Sequence, residues 1–237
     1  MCFSAPVSFA AAAVLLPLGL HALRQAWRTD RRYLLLAAFP LLFGVQQFSE
    51  GWVWLSLGGF HPEYARASAL GFLFFVYLVW PVITPLAARA LEDRPRQRAM
   101  LLYVALFAGL MGALVYLPLL PVEARVQASI VQHSILYQHR PLFEEQWNDW
   151  VARIGYALVI VLPLIVASTP NLRIFGGLIA LSLILSALYF DYAFTSVWCF
   201  FAAILSGFIL RMIRMDARRP PFGLTSAKPT LAATSPP

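Results

Sequence analysis

Glu50 lies inside an apolar run, about seven residues from its outer end and about 10 Å deep at 1.5 Å of rise per residue. An ionisable side chain at membrane depth is expensive and marks a functional candidate. The alternative is a structural carboxyl that fixes helix packing. Gln46 and Gln47 precede it by one turn, and Gln47, Glu50 and Trp54 share a helix face at i, i+3 and i+7. His133 sits between Val131 and Ile135 in the longest loop, with Tyr137 one step further along. If that loop folds over the helices, His133 reaches the level of Glu50 as a ligand or proton partner; otherwise it is a satisfied loop histidine. Asp191 opens the last apolar run, where a carboxylate suits a helix N-terminus, and Thr195 follows one turn later. Cys2 and Cys199 fall towards the same face of the membrane. There they form a disulfide, act separately, or leave Cys2 to chelate a soft metal through its thiol and a freed terminal amine.

These groups need elements to carry them, and composition says which. Of 237 residues 60% are hydrophobic and 12% charged, half the charge of an ordinary soluble domain, and the mean hydropathy is +0.71. That excludes a disordered chain, a nucleic-acid module and a typical cytosolic enzyme. Seven apolar stretches approach the ~20 residues a spanning helix needs, at about 5–23, 33–57, 67–88, 99–120, 152–168, 174–190 and 194–213. The expected fold is all-α, a bundle of seven membrane-spanning helices, because only helices satisfy an isolated backbone in lipid. Fourteen of the eighteen basic residues fall after spans one, three, five and seven, which puts the N-terminus outside and the C-terminus in the cytoplasm. Ser4 and Pro6 suit the start of span one, and the absence of a basic stretch before it argues against a cleaved signal peptide. Two segments stand apart: an outer loop over 121–151, whose opening reads as a short hairpin or a surface helix, and a Pro-rich tail over 214–237 that reads as disordered.

Cys2, Gln46, Gln47, Glu50, His133, Asp191 and Cys199 therefore all map to the outer third, while the inner half is almost without intramembrane polar groups. The expectation is a polar site opening outward, with Glu50 and His133 as metal ligands or a proton-handling pair. Cys2 and Asp191 complete a candidate ligand set for a divalent metal. At headgroup depth such a centre would suit hydrolysis of a lipid or amphiphile. A sensor, a small-ligand transporter or an accessory subunit of a membrane complex is the non-enzymatic alternative, and a transporter is disfavoured by the scarcity of polar residues beyond Trp80 and the Pro81/Pro85 kink. Retinal is excluded because the only lysine, Lys228, is in the tail; bis-histidine haem and a ceramidase-like zinc site are excluded by histidine spacing; no glycine loop for a nucleotide occurs.

Met1-Cys2-Phe3-Ser4-Ala5, Gln46-Gln47-Phe48-Ser49-Glu50-Gly51, His133-Ser134-Ile135-Leu136-Tyr137 and Ser196-Val197-Trp198-Cys199-Phe200-Phe201 are distinctive runs. In them the chain resembles an uncharacterised family of small bacterial integral membrane proteins over roughly residues 1–213. The resemblance implies no reaction. It implies a multi-pass protein of the bacterial inner membrane, with the lipid bilayer, and in the alternative reading another membrane protein, as its partner, and no nucleic acid.

Overall fold

Pro6 occupies the first turn of α1 (Ala5–Thr29), where its missing N–H leaves no bond unmade. The computed structural model describes residues 4–121, 126–131, 133–139, 149–189 and 194–216. Ser4 takes the N-cap position with an extended backbone, but its hydroxyl makes no capping bond. A short helix α2 (Leu34–Ala37) leads into α3 (Phe39–Leu57), which packs antiparallel along α1 on a seam of small residues. A Cβ on Gly19 would overlap the Leu41 backbone nitrogen, and one on Gly51 would lie 2.8 Å from the Phe9 ring. Without those side chains the two backbones approach as lipid-embedded helices must, by close contact rather than by hydrophobic expulsion.

The third span is built in two pieces, α4 (Ala65–Phe74) and α5 (Trp80–Leu91), joined by a π-helical turn at Phe75–Val79. Pro81 has no N–H to offer the Tyr77 carbonyl four residues back, so the helix widens there. On α6 (Pro95–Tyr116) Gly112 lies directly against that carbonyl, so closely that any Cβ would overlap the Tyr77 oxygen. After α6 the chain forms an antiparallel hairpin, β1 (Val126–Val131) with β2 (Ser134–His139), in the register Val126↔His139 through Val131↔Ser134. Then come α7 (Asp149–Ile165), α8 (Pro170–Tyr189), α9 (Phe194–Ser206) and α10 (Phe208–Asp216).

Among the described residues five segments are long and apolar enough to cross a membrane: Ala5–Thr29, Pro62–Leu91, Pro95–Leu119, Pro170–Tyr189 and Val197–Met215. The two other expected spans fall short for physical reasons. α3 carries Gln46, Gln47 and Glu50, which lower its hydropathy, and α7 has 17 residues beginning at polar Asp149. The outward surface is nonetheless oily: Val14, Tyr103, Leu106, Leu158 and Leu188 are all more than half exposed. So broad an apolar surface on a folded chain marks contact with lipid or another apolar partner. The described chain is mostly helical, with helices that fit a membrane protein, and has one hairpin in the loop over 121–151, where the sequence left a helix open as well.

Two clusters make up the interior. The larger joins α1, α2, α3, α5, α7, α8, α9 and α10, with Phe43 stacked on Trp80 at 3.8 Å between ring centroids. The smaller joins Val53 and Trp54 of α3, Phe72 of α4 and Cys199 of α9 with Val126 and Ile135 of the hairpin. Tyr137 seals it, stacked flat on Phe72 at 4.6 Å. At the opposite end three connecting loops are clipped together. Arg32 pairs with Asp30 and reaches Asp93, while Glu92 accepts bonds from Arg94 and from the Ser168 backbone and hydroxyl. The expected tail begins later than its sequence indicates, since α10 runs through Asp216.

Candidate functional site

Glu50, Gln46 and Gln47 are each completely buried on α3. Gln47 Nε2 donates to Glu50 Oε2 at 3.2 Å, one turn apart as the spacing requires. Gln46 turns towards α5, where its Oε1 accepts a 2.8 Å hydrogen bond from Trp80 Nε1. The π turn and Pro81 set the rotation of α5 that aims Trp80 at this oxygen. From α9 the buried Cys199 side chain adjoins that of Gln46 and lies within electrostatic reach of Glu50. Tyr156 of α7 faces Cys199 and Tyr77, and packs edge-on to Trp198 at 5.7 Å.

Hydrogen-bonding capacity in this region exceeds what the described side chains meet. Gln46 Nε2, Gln47 Oε1, Trp54 Nε1 and Trp198 Nε1 are buried and lack partners among the described residues. Each such atom costs on the order of 1–3 kcal/mol if left dry. A cavity of about 30 Å³ lies on the Trp198 side of this region, lined by Trp80, Thr84, Tyr156, Trp198 and Cys199 with a largely apolar wall from α3, α7 and α8; Gln46, Gln47, Glu50 and Trp54 do not line it. That volume admits a water molecule or two but no organic substrate.

The residues singled out by sequence divide into three groups. Gln46, Gln47, Glu50, Trp54 and Cys199 come together. Tyr137 joins the wall above them through Phe72. His133 does not share their enclosure: it occupies the two-residue turn of the hairpin, exposed, with a left-handed backbone at φ 60°. Cys2 and Asp191 lie outside the described residues, so the disulfide with Cys199 and the wider metal set lie there too. Among the described residues no three His, Cys, Asp or Glu side chains converge as a metal site. The outward-opening pocket is corrected: Glu50 is enclosed, and the hairpin packs on Val53, Trp54 and Cys199 at that end of the helices.

Two features were beyond sequence reading. Tyr77, Tyr156 and Trp198 enter the cluster from helices distant in sequence, and only the Pro81 four residues after Tyr77 signals the turn that places one of them. Glu92 is the other buried carboxyl among the described residues, with its side chain only 1% exposed. Burial pushes its pKa up, but hydrogen bonds from Arg94 and Ser168 outweigh burial and hold it at about 2. Arg94 Nη2 also donates to the Val166 carbonyl, so the group ties the α5–α6 loop to the end of α7.

A family model described as a family of unknown function, DUF6629, matches residues 1–223, and the chain belongs to that family. No curated protein and no solved structure matches the chain.

Proposed function

We propose that this member of a family of unknown function is a seven-span protein of the bacterial inner membrane, N-terminus outside, whose closed site in the outer third binds and releases a proton at Glu50. Its apolar exterior supports a lipid environment. The clipping of the loops after spans one, three and five at one end supports the expected topology, since these are the arginine-rich loops.

The observation that carries the reading is the complete burial of Glu50 with the Gln47 amide on its carboxyl, in a region where buried amide and indole groups have unmet hydrogen-bonding capacity. A lipid or other organic substrate has no room there, whereas a water-borne proton does. Gln47 orients the Glu50 carboxyl, and Gln46, held by Trp80, presents its Nε2 to the same region. His133, at the hairpin turn, takes no part in the closed site. The second reading, a packing carboxyl in an accessory subunit, rests on the same complete burial and makes the opposite prediction.

Proton uptake by the purified full chain, followed with a pH-indicator dye over small steps between about pH 5 and 9, distinguishes them. The wild type is expected to take up about one proton more per chain than Glu50→Gln. Glu92, held ionised by Arg94 and Ser168, takes up none in that range, so Glu92→Gln is expected to match the wild type. Identical uptake by the wild type and Glu50→Gln would favour the packing reading.

A further inference from the structure

At the arginine-rich end, Arg214 of α10 is held in place without being neutralised. Its Nε donates to Gln25 Oε1 at 3.2 Å, and its Nη2 lies 3.3 Å from His21 Nε2, both on α1. An amide oxygen and an imidazole nitrogen fix the guanidinium but carry no compensating negative charge. A guanidinium has five N–H donors, and the described residues engage only two of Arg214's, leaving the others open to an anion. His21, Arg24, Gln25 and Arg28 follow one another at spacings of three and four and so occupy one arc of α1. Arg24, Arg28, Arg211 and Arg214 are all exposed, and among the described residues none of the four forms an ion pair. By contrast the nearby Arg32 is paired twice.

The wall beside these charges is apolar. Gly207, the turn between α9 and α10, opens a recess of about 380 Å³ lined also by Leu210, Arg211, Arg214 and Met215. Leu18 of α1 borders Gly207, and above it Leu20 and Ile204 are half exposed or more. The level is that of a membrane interface: Trp27 is largely exposed and carries the Arg31 guanidinium 4.2 Å above its ring.

From this we propose that α1 and α10 form a binding site for the phosphate of an anionic phospholipid, with Arg211 and Arg214 on the headgroup and the acyl chains along Leu18 and Ile204. The inference rests on the membrane-spanning reading but not on the Glu50 site. A basic recess between helix ends is the chemistry that retains anionic lipid, each arginine contributing about a five-fold gain in affinity. A free phosphate would use the arginines and leave the apolar wall unused, which is why a lipid is the occupant named.

The test is native mass spectrometry of the full chain released from nanodiscs of phosphatidylcholine with phosphatidylglycerol. Assembly into the disc itself tests the spanning reading, and the retained lipid tests this one. The expected result is one phosphatidylglycerol per chain, kept in preference to phosphatidylcholine. The double substitution Arg211→Gln with Arg214→Gln is expected to weaken retention roughly 30-fold. Arg173→Gln, which alters an exposed arginine of α8 away from the recess, leaves retention unchanged. Should the double variant fail to assemble, Gln25→Ala with His21→Ala, which frees Arg214 without removing charge, provides the second reading and is expected to weaken retention several-fold. Equal retention of the two lipids, loss in Arg173→Gln to the same degree, or displacement of the lipid by millimolar inorganic phosphate would overturn the proposal, the last in favour of a free-phosphate site.

Discussion

A carboxyl taken out of water must be given donors or a proton, and Glu92 is given donors. Arg94 contributes Nε at 3.0 Å and its backbone N–H at 3.0 Å, and the Ser168 backbone adds a third at 3.1 Å. The folded pKa of about 2 lies below the ordinary 4.5, so the stability Glu92 contributes is fully present above about pH 4.5. It is lost as the pH falls from there through about 2. Because Arg94 is half exposed, the contribution is screened to about 2 kcal/mol rather than the full value of the shift. Glu92→Gln is therefore expected to lower the apparent melting temperature in detergent at pH 7 and to have no effect near pH 2. A difference of equal size at both pH values would show that ionisation is not what Glu92 supplies. Sequence reading passed over this residue because its partners are 2 and 76 positions away and nothing in a loop of charged residues marks one as buried. Glu50 was legible for the opposite reason: a charge within an apolar run stands out without knowledge of the fold.

Among the described elements, five spans were legible because each is long and apolar in its own right. What the run lengths do not record is how a span deviates from a straight helix. Pro81 signals a kink in the third span, but the π turn at Phe75–Val79 and its cover by Gly112 depend on α6 lying against it. Gly112→Ala is expected to force α6 from the Tyr77 carbonyl at a cost of about 1–3 kcal/mol. Gly177→Ala on α8, where a Cβ meets nothing within 4 Å, is expected to be neutral in the same thermal-unfolding measurement. Equal effects would mean that helix propensity, not the close approach, governs both positions. The hairpin explains the misplaced histidine. Strand alternation sends Ile135 into the smaller cluster and Tyr137 onto Phe72, while the tight turn leaves His133 facing out. The sequence left helix and hairpin equally open for this stretch, and in an arched surface helix His133 could have turned inward.

For the whole molecule, one end is clipped by ion pairs and ringed by unpaired arginines, and the other is closed by a hairpin over a buried polar cluster. This division follows from the sequence, which concentrates positive charge after alternate spans and intramembrane polar groups in the outer third. The identity of the enclosing side chains does not follow from it, because Trp80, Tyr156 and Trp198 meet Gln46 and Cys199 only through tertiary packing. The proposed closed site and the proposed topology together predict that Glu50 exchanges its proton with the outer side, and infrared difference spectroscopy on sealed, right-side-out vesicles addresses both at once. The carbonyl band of a protonated carboxyl is expected to change when the outer pH is stepped, to shift in heavy water, and to vanish in Glu50→Gln, while a step in the inner pH leaves it unchanged. A band that persists in Glu50→Gln, or one that follows the inner pH instead, would contradict the account.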